Sequence, residues 1–361
     1  MSELRKLEEQ VILSLRELYH KYGYSQFKMS KFEPYALYLQ NKEFLVSEGV
    51  ITFTDTDGTL MALKPDVTLS IVKNYRNDSA SLQKVCYNEN VYRIAGPGKG
   101  YREIMQTGLE CLGDIGLYEL GEVLLLAAKS LQCISPKFFL NISHLGILES
   151  LLREMELGED AMQAVLQCLQ EKNEASLRDF CRGAPSERVD LLAALMMENS
   201  CISQAVALLP PSQGRDELQT LAALLEQAGL AEHVRLDFSI IGDRNYYNGI
   251  VFRGYMEGIP TEVLSGGQYD RLLMRLGKRA KGVGFAVYLD QLELLENRQR
   301  SYDTDTVLLY SDDADILALS AAAKQLAESG VLVAKRIPPR MTCRRVMRFQ
   351  DGRVTEIEHH G

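Results

Sequence analysis

The sequence contains no apolar run long enough to cross a bilayer as a helix, which excludes a helical membrane protein. Its opening stretch, MSELRKLEEQ, has no apolar signal region, so no secretory leader is expected. The seven cysteines are scattered singly, with no Cys-x-x-Cys pair and no histidine cluster beside them. An odd, dispersed set fits reduced thiols in a cytoplasm and argues against zinc; no metal and no cofactor is expected. Positive charge is in deficit, with 40 Lys and Arg against 49 Asp and Glu and a net charge of −9. That balance offers no broad electrostatic attraction for nucleic acid. What remains is ordinary for a globular protein: 361 residues, 46% hydrophobic and 25% charged, enough for two or three domains and a sizeable core.

The periodicities predict a mixed α+β chain. Leu4, Leu7, Val11, Leu15 and Leu18 recur at steps of three or four, which makes residues 2–21 an amphipathic helix, capped by Ser2 and ended by Gly23. Residues 50–68 read as a hairpin turning at Asp57-Gly58, followed by a helix over 69–75. A helix over 117–131 and a strand over 138–143 come next. Residues 151–232 change character: rich in Leu, Ala, Gln and Glu, and broken at Pro185, Pro210-Pro211 and Gly229, they predict several short helices and carry no motif. VRLDFSII, over 234–241, reads as a strand. Residues 265–292 pair a Gly-Gly step with a short helix, the strand VGFAV and a further helix. The last stretch, 301–361, predicts a small α/β domain: strand TVLLY, a helix over 314–329, strand VLVAKRI, and a hairpin turning at Asp351-Gly352.

The stretch with the most chemistry is 92–113, YRIAGPGKGYREIMQTGLECLG, two strands around a Gly/Pro loop. On the return strand Arg102, Ile104, Gln106, Gly108 and Glu110 share one face, and Glu103, Met105, Thr107, Leu109 and Cys111 the other. With Arg93 from the partner strand, the first face offers a cation, an amide and a carboxylate around the gap left by Gly108. That set suits a zwitterionic amino acid. A solvated sheet face fits the same pattern, and so does a helix, because Gln106 and Glu110 also sit at helical spacing.

An arginine, a Gly/Pro loop, then Tyr-Arg-Glu, glutamine and glutamate resembles motif 2 of class II aminoacyl-tRNA synthetases, and the histidyl branch in particular. The rest of the chain extends the likeness. LKPDVT resembles that branch's L-R-P-E-x-T, which implies that Asp66 and Thr68 hold the α-amino group of histidine; an Asp after a Pro also reads as a turn or helix cap. The run beginning Tyr246-Tyr247 resembles the histidine-specific signature, implying that one ring lines a pocket while the other packs; two core aromatics are the plain alternative. His144 lies in a stretch that resembles the family's strand-to-helix crossing and reads as a structural group. Residues 25–39 resemble the dimerising motif 1, with Ser30 where a proline is expected. Residues 265–292 resemble motif 3. The resemblance implies an α+β class II synthetase-like core over 1–300, an antiparallel sheet flanked by helices with the insertion at 151–232, and a separate small domain over 301–361. The amino-acid site it implies is Asp66, Thr68, Arg93, Gln106, Glu110, Tyr246 and Tyr247.

The departures fall on one activity. The arginine that motif 3 places on ATP phosphates aligns with Gln291. The branch's second catalytic arginine falls near Gly242, and Asn245 replaces an acid, although Arg244 is close by. The tail is short for a tRNA-reading module. Fixed cations stabilise the charge that develops on a polyphosphate, and losing one such group typically costs roughly 100- to 1000-fold in rate. Keeping the pocket while losing those cations resembles the ATP phosphoribosyltransferase regulatory subunits, a histidyl-tRNA synthetase-like family. That likeness implies a non-catalytic, cytoplasmic subunit of the first step of histidine biosynthesis. It implies self-association as a dimer, a hetero-octamer with a short catalytic subunit, histidine as effector, and no tRNA. A divergent but active histidyl-tRNA synthetase is the enzymatic alternative. The basic residues Lys335, Arg336, Arg340, Arg344 and Arg345 read as a solvated face or as an anion or partner site.

Overall fold

The computed structural model describes residues 7–42, 49–76, 82–94, 100–197, 202–242, 246–296 and 302–359. The chain divides into two compact units, Met1–Leu294 and Leu295–Gly361.

The first unit begins with helix α1 (Leu7–Lys21), which buries Val11, Leu15 and Tyr19. Glu8 and Glu9 sit in its first turn and His20 and Lys21 in its last, as the helix dipole favours. Gly23, at φ +83°, turns the chain out of it. The predicted cap Ser2 lies outside the described residues. Strands β1 (Ser25–Gln26) and β2 (Phe32–Pro34) and helix α2 (Tyr35–Gln40) follow. Strands β3 (Thr52–Thr54) and β4 (Leu60–Leu63) form the expected hairpin, with Gly58 at φ +86° in its turn, and β2 adds to make a small sheet in the order β2-β4-β3. Helix α3 (Thr68–Asn74) leads to the long hairpin of β5 (Gln83–Ile94) and β6 (Tyr101–Gly113). Most of the predicted Gly/Pro loop, 95–99, lies outside the described residues.

Helix α4 (Leu117–Ile134) and strand β7 (Phe138–His144) precede a run of helices: α5 (Leu145–Glu154), α6 (Glu159–Gln170), α7 (Glu174–Phe180), α8 (Ser186–Met196), α9 (Ile202–Leu208) and α10 (Gln213–Gln227). The predicted breaks work as read: Pro185 precedes the first turn of α8, and Gly229 ends α10 at φ +73°. Strand β8 (Val234–Leu236) is shorter than the expected VRLDFSII strand. Asp237 ends it, because its Oδ1 accepts the Ser239 N–H at 2.9 Å and its carbonyl accepts the Ile240 N–H at 3.2 Å. A local side-chain bond thus replaces the ladder. Strands β9 (Ile250–Met256) and β10 (Leu264–Gln268), helix α11 (Asp270–Arg275), strand β11 (Lys281–Tyr288) and a 3₁₀ turn at Leu289–Leu292 complete the unit, and helix α12 (Glu293–Glu296) spans the end of its range.

Among the described residues the main sheet has eight strands in the order β1-β5-β6-β11-β10-β9-β7-β8. It is parallel at β1/β5 and β7/β8 and antiparallel elsewhere. Sequence-distant hairpins therefore meet: β6 pairs with β11, setting Glu110 opposite Gly284 and Gln106 opposite Tyr288.

The second unit contains β12 (Thr304–Leu309), α13 (Ile316–Leu326), β13 (Val331–Ala334), β14 (Cys343–Gln350) and β15 (Arg353–His359), in the sheet order β13-β12-β14-β15. The helix starts later than predicted because Asp315 caps it, accepting the Leu317 N–H at 2.8 Å. The strand read from VLVAKRI stops at Ala334. Asp351 and Gly352, at φ 50° and 75°, make the two-residue turn that a tight hairpin prefers.

Candidate functional site

The long β5–β6 hairpin and its neighbours enclose a cavity of about 270 Å³. Asp66, Thr68, Arg93, Gln106, Glu110, Tyr246 and Tyr247 all line it, although they come from four separate stretches of chain. The return strand is β, as read, and Gln106 and Glu110 are buried, whereas Arg102, at the outer end of the same face, is exposed. The gap assigned to Gly108 is not ligand space. A Cβ there would lie 2.1 Å from the Phe285 carbonyl and 2.7 Å from the Tyr87 hydroxyl. The phenol fills the gap and donates to that carbonyl at 3.3 Å. Gly284 has the matching role across the ladder, since a Cβ there would meet Glu110 Oε2 at 1.8 Å.

Glu110 is the most constrained group. The Thr68 hydroxyl donates to its Oε1 at 2.6 Å and the Tyr269 hydroxyl to its Oε2 at 2.5 Å. These two donors favour the ionised form, but burial outweighs them and pushes the carboxyl up to about 8. Asp66 is also raised by burial, against the Leu69 N–H and the Arg93 charge, which lower it. Its Oδ1 accepts that Leu69 N–H at 2.8 Å, so the helix-cap reading and the cavity-lining reading hold together. Arg93 Nε donates to the Pro65 carbonyl at 3.0 Å, tying the hairpin to the segment that carries Asp66 and Thr68.

Tyr246 and Tyr247 pack edge to face, with ring centroids 4.7 Å apart, and Tyr246 lies 5.9 Å from Tyr269. Both rings line the cavity and both pack into the neighbouring core, so the expected division, one lining and one packing, does not hold. They also precede β9 rather than begin it.

Sequence reasoning missed Tyr87, Tyr269, Tyr288, Arg253 and Glu262, which line the same cavity. Arg253 had a signal: a cation in the otherwise apolar strand IVFRGYM. Its Nη1 stands 4.0 Å from Glu262 Oε2. The cavity thus combines two guanidinium groups, three carboxyl groups and a set of phenols. It offers charge of both signs to a small zwitterion and lines the remaining wall with aromatic edges.

Gln291 is not among the lining residues; its side chain accepts from Thr261 at 2.9 Å and donates to Asp290 at 3.2 Å. Gly242 lines the cavity, while Arg244 and Asn245 lie outside the described residues. His144 has a structural role: its Nδ1 accepts the Ile147 N–H at 3.2 Å and caps α5, and burial lowers its pKa. In the second unit Lys335 pairs with Asp312, and Arg344 and Arg345 lie 3.4 and 3.0 Å from Asp305. Among the described residues no group of three or more His, Cys, Asp or Glu is arranged to hold a metal, and no helix is long and apolar enough to cross a membrane.

A largely antiparallel sheet that builds such a cavity beside its longest hairpin is a class II synthetase-like architecture. The histidyl-tRNA synthetase family model matches residues 2–292, and the chain belongs to that family. An ATP phosphoribosyltransferase regulatory subunit of Caldanaerobacter subterraneus subsp. tengcongensis is 29% identical over 298 residues, covering 79% of this chain and 77% of that protein. A protein of the same name from Alkaliphilus metalliredigens is 28% identical over 337 residues, covering 88% and 85%. The crystal structure of an ATP phosphoribosyltransferase regulatory subunit/histidyl-tRNA synthetase from Bacillus halodurans superposes with a TM-score of 0.70 at 26% identity, covering 92% of this chain and 89% of that one.

Proposed function

We propose that this chain is a regulatory subunit of ATP phosphoribosyltransferase, binds histidine in the cavity, and performs no catalysis itself. The observation that carries the reading is the convergence of charged and aromatic side chains on one cavity, with a glutamine at the position where the resemblance places a phosphate-binding arginine. Seven residues expected to hold histidine converge, while Gln291, in the place of a phosphate-binding arginine, is engaged by Thr261 and Asp290. The names of these relatives support the same reading. In it, the α-ammonium group of histidine meets Asp66 and Glu110, its carboxylate meets Arg93 and Gln106, and Tyr246 and Tyr247 face the imidazole.

The chain dimerises through residues 25–39, joins a short catalytic subunit in a hetero-octamer in the cytoplasm, and carries histidine feedback to it. Histidine shifts the complex only by its difference in affinity for the two states, and a coupling of about 1–3 kcal/mol gives a roughly 5- to 150-fold effect. Calorimetry with histidine and with ATP separately, followed by co-purification with the catalytic subunit, tests this. Histidine binding, no ATP binding and a stable complex are expected. The enzymatic reading is favoured by one observation, the two arginines Arg93 and Arg253 in the cavity. Histidine-dependent ATP–pyrophosphate exchange by the purified chain would establish that reading and overturn ours.

A further inference from the structure

A second cavity, of about 420 Å³, lies between the helical insertion and the sheet. Asn141 on β7 and Arg253 on β9 are direct cross-strand partners in its wall, and Tyr255 stands two residues along β9. Asp237 closes one side, and Gln170 and Lys172, from the end of α6, close another. None of these residues except Arg253 belongs to the first cavity, and Arg253 and Ile240 line both.

The polar groups here are unevenly satisfied. Asp237 is buried and takes Lys172 Nζ at 2.9 Å, Asn141 Nδ2 at 3.2 Å and the Ser239 N–H at 2.9 Å. The carboxylate fixes which way the amide faces, since only the NH₂ can donate to it. That leaves Asn141 Oδ1, on a side chain that is 5% exposed, buried and without a hydrogen-bond donor among the described residues. Buried acceptors are normally paired. An acceptor backed by a carboxylate calls for an N–H donor carrying positive charge. On the same walls Lys172 is part exposed beyond its bond to Asp237, and Arg253 stands beside the Tyr255 phenol, with Glu262 at 4.0 Å. A simple anion would use the cations and leave the amide oxygen unpaired. A molecule with adjacent ammonium and carboxylate groups uses both.

We propose that this cavity binds a second zwitterion of the α-amino-acid class, its ammonium group on Asn141 Oδ1 above Asp237 and its carboxylate on Lys172 and Arg253. Because Arg253 and Ile240 form the shared wall, occupancy here bears directly on the first cavity. The test is calorimetric titration of the full chain with each of the twenty common amino acids and with orthophosphate. It compares the wild type, Lys172→Met, which touches only the second cavity, and Thr68→Val, which touches only the first. At least one amino acid should bind saturably, tenfold or more weaker in Lys172→Met and unchanged in Thr68→Val. The proposal falls if no amino acid binds this way, if every binding event is lost with Thr68→Val and kept in Lys172→Met, or if orthophosphate alone binds. Should Lys172→Met fail to fold by circular dichroism, Lys172→Gln, which keeps a polar side chain and removes the charge, takes its place with the same expected result. Failure of the histidine reading shows separately, as the absence of any histidine binding sensitive to Thr68→Val.

Discussion

Replacing Glu110 by glutamine tests the electrostatics of the first cavity. The carboxyl is held at about 8 against an ordinary value of 4.5, with burial as the leading cause. Between those values the folded chain keeps a proton that the unfolded chain releases. The stability linked to that proton is therefore complete below 4.5 and is lost as pH rises through about 8. At about 1.4 kcal/mol per pH unit, the interval from 4.5 to about 8 corresponds to about 5 kcal/mol. Glutamine does not titrate, so urea unfolding from pH 5 to pH 8 should show the wild type losing stability progressively relative to Glu110→Gln. Ligand binding reads out the same group. An ammonium ion brought beside Glu110 favours its ionised form. Histidine binding near neutral pH should thus release close to one proton more in the wild type than in the variant, measured by calorimetry in buffers of different ionisation enthalpy. The comparison with the variant removes the titration of the imidazole ligand itself. Parallel stability curves together with equal proton release would refute a neutral Glu110.

Gly108→Ala should cost about 1–3 kcal/mol or more in thermal or denaturant unfolding, because its methyl would lie 2.1 Å from the Phe285 carbonyl of the neighbouring strand and 2.7 Å from the Tyr87 hydroxyl; histidine affinity should fall with it. Lys64→Met should cost about 3 kcal/mol, because Lys64 is fully buried and its Nζ pairs with Glu89 at 2.5 Å; adding Glu89→Gln should recover part of the loss in a double-mutant cycle. Gly352→Ala should lower the stability of the second unit by about 1–2 kcal/mol, since φ 75° is costly for a residue with a Cβ; hydrogen exchange at β14 and β15 should report it.

The legible parts of the chain were those governed by short-range chemistry. The apolar steps at Val11 and Leu15 of α1, the Asp57-Gly58 and Asp351-Gly352 turns and the breaks at Pro185 and Gly229 each act through a few neighbouring residues, and each stands where the sequence places it; Leu4 lies outside the described residues. The cavity residues were legible because alternation on β6 assigns Gln106 and Glu110 to one face. Motif resemblance supplied Asp66, Thr68, Tyr246 and Tyr247, which periodicity alone left as a cap and as core aromatics. The VRLDFSII strand was overextended because a hydrophobic run carries no sign that the Asp237 carboxylate will bond the Ser239 N–H and turn the chain. Gly108 reads as ligand space in one strand because that strand alone does not reveal that Tyr87 occupies the position opposite it.

The residues alone determined the elements, their turns and the side of the hairpin that carries polar groups, since backbone preference and alternation operate over a few positions. Only the tertiary structure decided what those groups meet. It brought Tyr269 onto Glu110, closed the Gly108 gap with Tyr87, and placed Arg253 in a wall common to two cavities. Burial and pairing depend on strands brought together from more than a hundred residues apart, and it is burial that raises Glu110 to about 8.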